Sequence, residues 1–256
     1  MSPIIEKLVQ ERKINFKTLA VKPAPNAWVP KDPRFEYDLL LKSMEKGGTD
    51  RDYAVQVCKQ IAFDYQHVIA EFIEEYGCDK LENLLEDGRK WTLKVLKKWG
   101  KTLVESNQIN IDINDLVKIE KELREIIKQK GSNFFGYFEG NIIGDHIFIE
   151  KETKDVYLAG MRIVPRIGKG YYDFLRSLDW MFLKTPSNQE QFNQIVEYMK
   201  GYCNEHNFDW EEMKLVAATR FIGIGWDMLD ASRGDLGAGD KMEKLKYLEK
   251  FIKRDY

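Results

Sequence analysis

The sequence predicts an α+β fold that is mostly helical, with a β-hairpin near the centre of the chain. On either side of that centre, over roughly 50–130 and 173–254, apolar residues recur three and four positions apart, as on a helix with one buried face. Between these parts, residues 134–158 hold short runs of aromatic and β-branched residues separated by turns, which is typical of strands. With 256 residues, of which 43% are hydrophobic, the chain is long enough to bury a core.

The amino-terminal region predicts one strand and one helix. Residues 16–22 alternate apolar and polar positions, as a strand does, and Pro23 stops the pattern. Residues 35–46 carry apolar residues at helical spacing, and Gly47 ends this predicted helix.

Seven further helices are predicted from the spacing of their apolar residues, over roughly 50–76, 79–105, 112–130, 173–183, 188–206, 210–230 and 240–254. Asp112 or Asn114 can cap the helix that follows them, and Gly131 ends it. Gly223 and Gly225 lie inside a predicted helix, where close packing between helices explains them better than a phosphate-binding loop does.

Composition and charge exclude several classes of protein. The chain carries 40 basic and 42 acidic residues, a net charge of −2, whereas a general nucleic-acid or membrane-surface binder needs a basic excess. Its three cysteines have no CxxC spacing, which favours reduced thiols over a zinc site or a disulfide framework. No apolar run reaches the roughly 20 residues that span a bilayer. We expect a cytoplasmic protein whose partner is a small molecule or another protein.

Residues 139–174 contain the most informative pattern. Residues 139–150 read Glu-Gly-Asn-Ile-Ile-Gly-Asp-His-Ile-Phe-Ile-Glu, and they are followed by a predicted strand that runs to Gly160 and a predicted helix that opens at Asp173. This order resembles the catalytic segment of the aminoglycoside phosphotransferase and choline kinase superfamily, where HGDxxxxN-I-L-x-D precedes a strand ending in Asp and a Tyr-Asp helix start. The resemblance implies a helical, kinase-like carboxyl-terminal lobe over 49–256 with a central β-hairpin, and a truncated amino-terminal lobe over 1–48.

The same resemblance implies that the reacting groups are missing. It places Asn141 at the catalytic Asp position, His146 at the metal-ligating Asn position and Gly160 at the metal-binding Asp position. An amide is no base near neutral pH, glycine offers no ligand, and histidine prefers softer metals than Mg²⁺. Asn141, Asp145 and His146 are therefore the remnant of a catalytic loop, and no metal site is predicted.

Nucleotide or anion contacts are implied at three further positions. Lys22 and Glu36 match the lysine and glutamate that form an ion pair at the nucleotide phosphates in this superfamily. Arg162 lies among basic residues and could grip a phosphate in place of the lost Mg²⁺. No glycine-rich loop precedes Lys22, so an exposed lysine and glutamate on the surface is the competing interpretation.

Three functions follow from these residues. The leading one is a pseudokinase, a catalytically degenerate kinase-like protein that acts as a binding or regulatory scaffold and for which the sequence assigns no cofactor. The alternative is an active phosphotransferase that uses ATP and Mg²⁺ on a small hydroxylated substrate, with Asp145 or Asp173 as base. A third is a hydrolase in which Asp145 and His146 form an acid–base pair. Its candidate nucleophiles lack an elbow motif; they are Ser132, Ser177 and Cys203.

Overall fold

The computed structural model describes residues 21–23, 34–36, 51–52, 54–56, 58–59, 62, 84–138, 147–150, 152–153, 156–158, 164–168, 170–181, 186–229 and 241–256. The chain forms two compact units. The first, here called the sheet unit, contains Met1–Cys78 and Tyr137–Val164. The second, the helical unit, contains Asp79–Gly136 and Pro165–Tyr256. The predicted boundary between residues 48 and 49 falls outside the described residues.

The helical unit is built from seven described α-helices, a π-helical segment and a 3₁₀ turn. In chain order these are α1 (Leu84–Lys94), the π segment (Val95–Gly100), α2 (Lys101–Ser106), α3 (Ile113–Lys130), the 3₁₀ turn (Gly131–Phe134), α4 (Tyr171–Met181), α5 (Gln189–His206), α6 (Trp210–Leu229) and α7 (Lys241–Lys253). These bounds follow the predicted helices closely, so the mostly helical character is confirmed.

Six described strands form two sheets. They are β1 (Val21–Pro23), β2 (Phe35–Glu36), β3 (Phe135–Phe138), β4 (Ile147–Glu150), β5 (Val156–Leu158) and β6 (Val164–Ile167). The larger sheet has the order β1-β5-β4-β2, and the smaller sheet pairs β3 with β6. In the larger sheet β4 and β5 are antiparallel, with Phe148 opposite Tyr157, while β1 runs parallel to β5.

The predicted fold class, a kinase-like helical lobe with a central β-hairpin and a truncated amino-terminal lobe, is wrong. Within the helical unit, the described residues contain no β-hairpin. The strands at 147–158 belong instead to the sheet unit, where β1 and β2 from the amino-terminal region flank them. A hairpin of two strands is marginally stable alone, and pairing both of its edges gives a sheet of four strands. Residues 35 and 36, predicted as the start of a helix, form one of these edges.

Helix α3 shows how local sequence fixes its ends. The Asp112 carboxylate accepts hydrogen bonds from the N–H groups of Asn114 and Asp115 at 2.7 and 3.0 Å. The Asp115 carboxylate in turn accepts the Asp112 N–H at 2.9 Å, which completes a capping box. At the other end Gly131 has a φ of 56°. The predicted cap and the predicted stop are both confirmed.

The core of the helical unit surrounds α6. All residues of α6 from Leu215 to Gly225 are buried, which needs neighbours on every side of the helix. α6 contacts α7, the π segment, α4, α5 and α2. A Cβ atom on Gly225 would come within 2.6 Å of the Leu248 side chain, so α6 and α7 approach as closely as glycine allows. The interpretation of Gly225 as a close-packing residue is confirmed.

An ion pair between α3 and the residues after α7 gives the helical unit a defined pH dependence. Both guanidinium ends of Arg254 donate to the Glu122 carboxylate, with Nη2 2.7 Å from Oε1. This hydrogen bond holds the pKa of Glu122 below its usual value of 4.5. A carboxyl group whose pKa is lower in the folded state than in the unfolded state stabilises the fold. This stabilisation is complete at pH values above the unfolded-state pKa, and it is lost as the pH falls through the folded-state pKa.

We therefore expect Glu122→Gln to lower the melting temperature by roughly 2 °C at pH 7, since the pair is partly exposed and the chain is of moderate size. The difference from the wild type should shrink between pH 7 and pH 3, because the wild-type carboxylate becomes protonated as the pH falls through its folded-state pKa. Thermal unfolding followed by circular dichroism measures this. Glu105→Gln, which breaks the exposed pair with Lys101, should change little at either pH; equal effects of the two substitutions would refute the role of Arg254.

Candidate functional site

Most residues of the predicted catalytic segment lie outside the part of the chain that the structure describes. These are Asn141, Asp145, His146, Gly160 and Arg162. Their roles as a degenerate catalytic loop and as an anion contact therefore stay predictions.

Lys22 and Glu36 are described at the level of the backbone. Lys22 lies in β1 opposite Tyr157, and Glu36 lies in β2 opposite Ile149. Their strands are the two outer strands of the larger sheet, with β5 and β4 between them. Neighbouring strands are spaced by about 4.8 Å, so the two backbones are roughly 14 Å apart. An ion pair between the two residues stays a prediction.

Two of the candidate nucleophiles are buried. Burial raises the pKa of the Cys203 thiol to about 12, so the reactive thiolate is scarce at neutral pH. The Ser177 hydroxyl is fully buried and donates to the backbone carbonyl of Asp173 at 3.1 Å. Neither residue has the access to solvent that a substrate needs. The hydrolase interpretation therefore receives no support from Ser177 or Cys203.

A groove of about 580 Å³ lies within the helical unit, between α1 with the π segment on one side and α3 on the other. We call it the basic groove. Its apolar lining residues, which we call the floor, are Leu93, Leu96, Leu123 and Ile127. The buried Thr92 beside them already donates its hydroxyl to the Gly88 carbonyl at 2.8 Å. Sites for small molecules typically have volumes of roughly 300–1,000 Å³ and mostly apolar walls with a few polar groups. The basic groove has both properties.

The two walls of the basic groove run antiparallel. A Cβ atom on Gly100, at the end of the π segment, would lie 3.0 Å from the Leu116 side chain in the first half of α3. At the other end of the groove, α1 contacts the 3₁₀ turn that follows α3. Arg89 of α1 therefore lies at the same end of the groove as Lys128 of α3.

The charges on the rim differ between the two ends. The side chains of Arg89 and Lys128 are exposed and form no ion pair or hydrogen bond with any other described residue. Further along α3, the Arg124 side chain donates through Nε to the Glu120 carboxylate at 3.0 Å, which balances both charges. One end of the groove thus carries two cations that no described residue compensates, and the other carries a neutral pair.

A second depression, of about 480 Å³, lies between the loop 107–111 and α7. Two of its polar residues already bond to each other: the backbone N–H and the side-chain amide of Asn110 both donate to the Glu249 carboxylate at 3.3 Å. Because those groups already have hydrogen-bond partners within the protein, the depression offers a ligand fewer available polar contacts than the basic groove does.

The sequence contains only a partial signal for the basic groove. Leu123 and Arg124 lie three and four positions after Glu120, and Ile127 lies four and three positions after them, which places these residues on one face of α3. This mixture of charged and apolar residues on one face was predictable. The neighbour across the groove was not, because periodicity does not say which two helices pack side by side.

Other chemistry is limited within the described residues. No group of three or more His, Cys, Asp or Glu side chains in that part of the chain is placed to hold a metal ion. None of the described helices combines the length and the apolar character that crossing a membrane requires.

Comparisons of the chain with family models, with curated proteins and with solved structures give no match.

Proposed function

We propose that this chain is a binding protein without phosphotransferase activity, which acts as a regulatory scaffold by taking up a ligand in the basic groove. The observation that carries this proposal is a pair of cations, Arg89 and Lys128, which lie at one end of an apolar cleft of about 580 Å³ and have no counter-ion within the described part of the chain. Exposed charges beside an apolar floor give a ligand both contact area and a fixed orientation.

The setting of the groove supports binding over catalysis. Both walls are helices, and the floor residues Leu96 and Leu123 are also part of the core. A site held by packed helices keeps its shape before the ligand arrives, which lowers the entropic cost of binding. The residues named on the floor and rim include no base paired with a nucleophile.

Loss of phosphoryl transfer is part of the proposal, and it rests on the sequence. Phosphoryl transfer depends on cations that neutralise the charge of the migrating phosphate. With Asn141 and Gly160 at the positions that the resemblance assigns to a base and a metal ligand, that neutralisation is missing. The competing function is the ATP- and Mg²⁺-dependent phosphotransferase.

Thermal unfolding in the presence of nucleotide separates the two functions. We expect ATP with Mg²⁺ or Mn²⁺ to shift the melting temperature by less than about 1 °C. A ligand present at a hundred times its Kd would stabilise the fold by about 2.7 kcal/mol, or roughly 5–10 °C for a chain of this size. A shift of that size that needs the metal, together with consumption of ATP, would contradict the proposal.

The proposal that the basic groove binds a ligand is tested by a search for a compound that binds there. In a screen of chemically diverse small molecules by the same thermal assay, at least one should raise the melting temperature of the wild type and not that of Arg89→Gln/Lys128→Gln. If no compound behaves in this way, the groove is not a ligand site.

We also propose that the protein works in the cytoplasm. Cys203 is a free and buried thiol, which suits a reducing compartment.

A further inference from the structure

We infer that the ligand of the basic groove is a free single-chain anionic amphiphile of the fatty-acid type. Its anionic head lies between Arg89 and Lys128, and its apolar chain lies along the floor. This inference rests on the proposed function and names the ligand of the same site.

The head group is assigned by charge. Arg89 and Lys128 stand on opposite walls at the same end of the groove, and neither has a counter-ion among the described residues. A guanidinium group donates two parallel hydrogen bonds to one carboxylate, and an ammonium group adds a point charge from the other side. A single anionic group at this end therefore compensates both cations.

The chain is assigned by the apolar floor. From Lys128 back to Glu120, α3 rises about 12 Å, and over this length the groove passes Ile127, Leu123 and Leu96. Each buried CH₂ group of a ligand chain contributes about 0.8 kcal/mol. At the far end the Arg124–Glu120 pair is neutral as a unit and does not attract a second charged group.

This arrangement disfavours three other occupants. A nucleotide carries several charges and a polar ribose, for which the apolar floor offers no partners. A docked acidic helix would need available cations along the whole rim, but Arg124 is already bound to Glu120. An anionic membrane attracts clusters of basic residues, and the chain as a whole has a net charge of −2. A free molecule with one charged end matches the groove best.

Isothermal titration calorimetry of the full chain with sodium dodecanoate, kept below its micelle concentration, tests the inference. We expect saturable binding of one molecule, and at least a tenfold weaker affinity for Arg89→Gln/Lys128→Gln. The matched control is Lys97→Gln/Lys121→Gln, which removes the same charge from one exposed residue on each wall outside the groove. Its affinity should stay within about twofold of the wild type.

The charge of the probe gives a second comparison on the wild type. Dodecyltrimethylammonium has the same chain and the opposite charge, so it should bind at least tenfold more weakly than dodecanoate. Equal affinity for the two probes, or full affinity in Arg89→Gln/Lys128→Gln, would overturn the assignment of the head group. If the protein sediments with anionic phospholipid vesicles but does not bind free dodecanoate, the ligand is a membrane surface, and the assignment to a free amphiphile is overturned.

Failure of this inference is distinguishable from failure of the proposed function. If dodecanoate does not bind while another compound of the screen binds through Arg89 and Lys128, only the ligand class is wrong. If no compound depends on these residues, the groove is not a ligand site and both proposals fall.

Discussion

Replacing Phe251 by alanine is expected to lower the free energy of unfolding of the helical unit by about 3–5 kcal/mol. The Phe251 ring is fully buried, and it stacks on Phe221 with the ring centroids 4.0 Å apart and the planes within 2° of each other. It also meets the rings of Phe192 and Tyr256, at 4.9 and 5.2 Å. Removing it leaves a cavity among three elements that cannot easily collapse, because each is held by other contacts.

Urea unfolding followed by far-ultraviolet circular dichroism measures this loss. Met242→Ala is the matched control, since Met242 lies on the same helix and is 64% exposed. We expect that change to stay within about 0.5 kcal/mol. A loss below about 1 kcal/mol for Phe251→Ala would mean that α7 does not pack on α6 as described.

Gly168→Ala is expected to destabilise the helical unit by roughly 3 kcal/mol, from two causes that add. The residue has a φ of 74°, where an L side chain is strained. A Cβ atom there would also lie 2.5 Å from Cγ2 of Val216, a β-branched side chain in the core that cannot turn away. The Gly168 carbonyl accepts the N–H groups of Tyr171 and Tyr172, so a shift at this residue would disturb the start of α4.

Gly131→Ala separates the two causes. Gly131 also has a positive φ, of 56°, but an added Cβ atom would meet nothing within 4 Å. It should cost only the backbone strain, roughly 1–2 kcal/mol. Equal losses at the two glycines in the same denaturation experiment would show that Val216 does not limit the space at Gly168.

The helices could be predicted because their signals are local. Asp112 caps α3 and Gly131 ends it, as expected, since both effects act within a few residues of the chain. Asn188 similarly begins α5, where its side chain accepts the Gln191 N–H at 2.9 Å. One feature inside the helices was missed. The helix predicted over roughly 79–105 widens into the π segment at Val95, which the spacing of its apolar residues does not indicate.

The placement of the strands could not be predicted in the same way. Pairing β1 with β5 joins Val21 to Val156 across more than a hundred residues, and no local pattern specifies such a partner. The order of elements along the chain suggested that the strands at 147–158 sit among the helices, and this was wrong. The larger sheet instead draws its outer strands from the amino-terminal region.

The site was harder to predict than the fold. The segment that resembles a phosphotransferase loop, from Asn141 to His146, lies outside the described residues, so its chemistry stays a prediction. The basic groove depends on residues from two helices that lie far apart in the chain, such as Arg89 and Lys128. Each looks like an ordinary exposed cation in the sequence. Only the antiparallel arrangement of α3 and of α1 with its π segment brings them to one end of an apolar cleft.

Nuclear magnetic resonance of the ¹⁵N-labelled full chain, titrated with dodecanoate, tests the role of the basic groove most directly. We predict that amide shifts change along both walls, near Arg89 and Leu93 on α1 and near Leu123 and Lys128 on α3, and that they stay constant around the loop 107–111. Shift changes that avoid both walls, or no saturable change at all, would contradict a ligand in this groove.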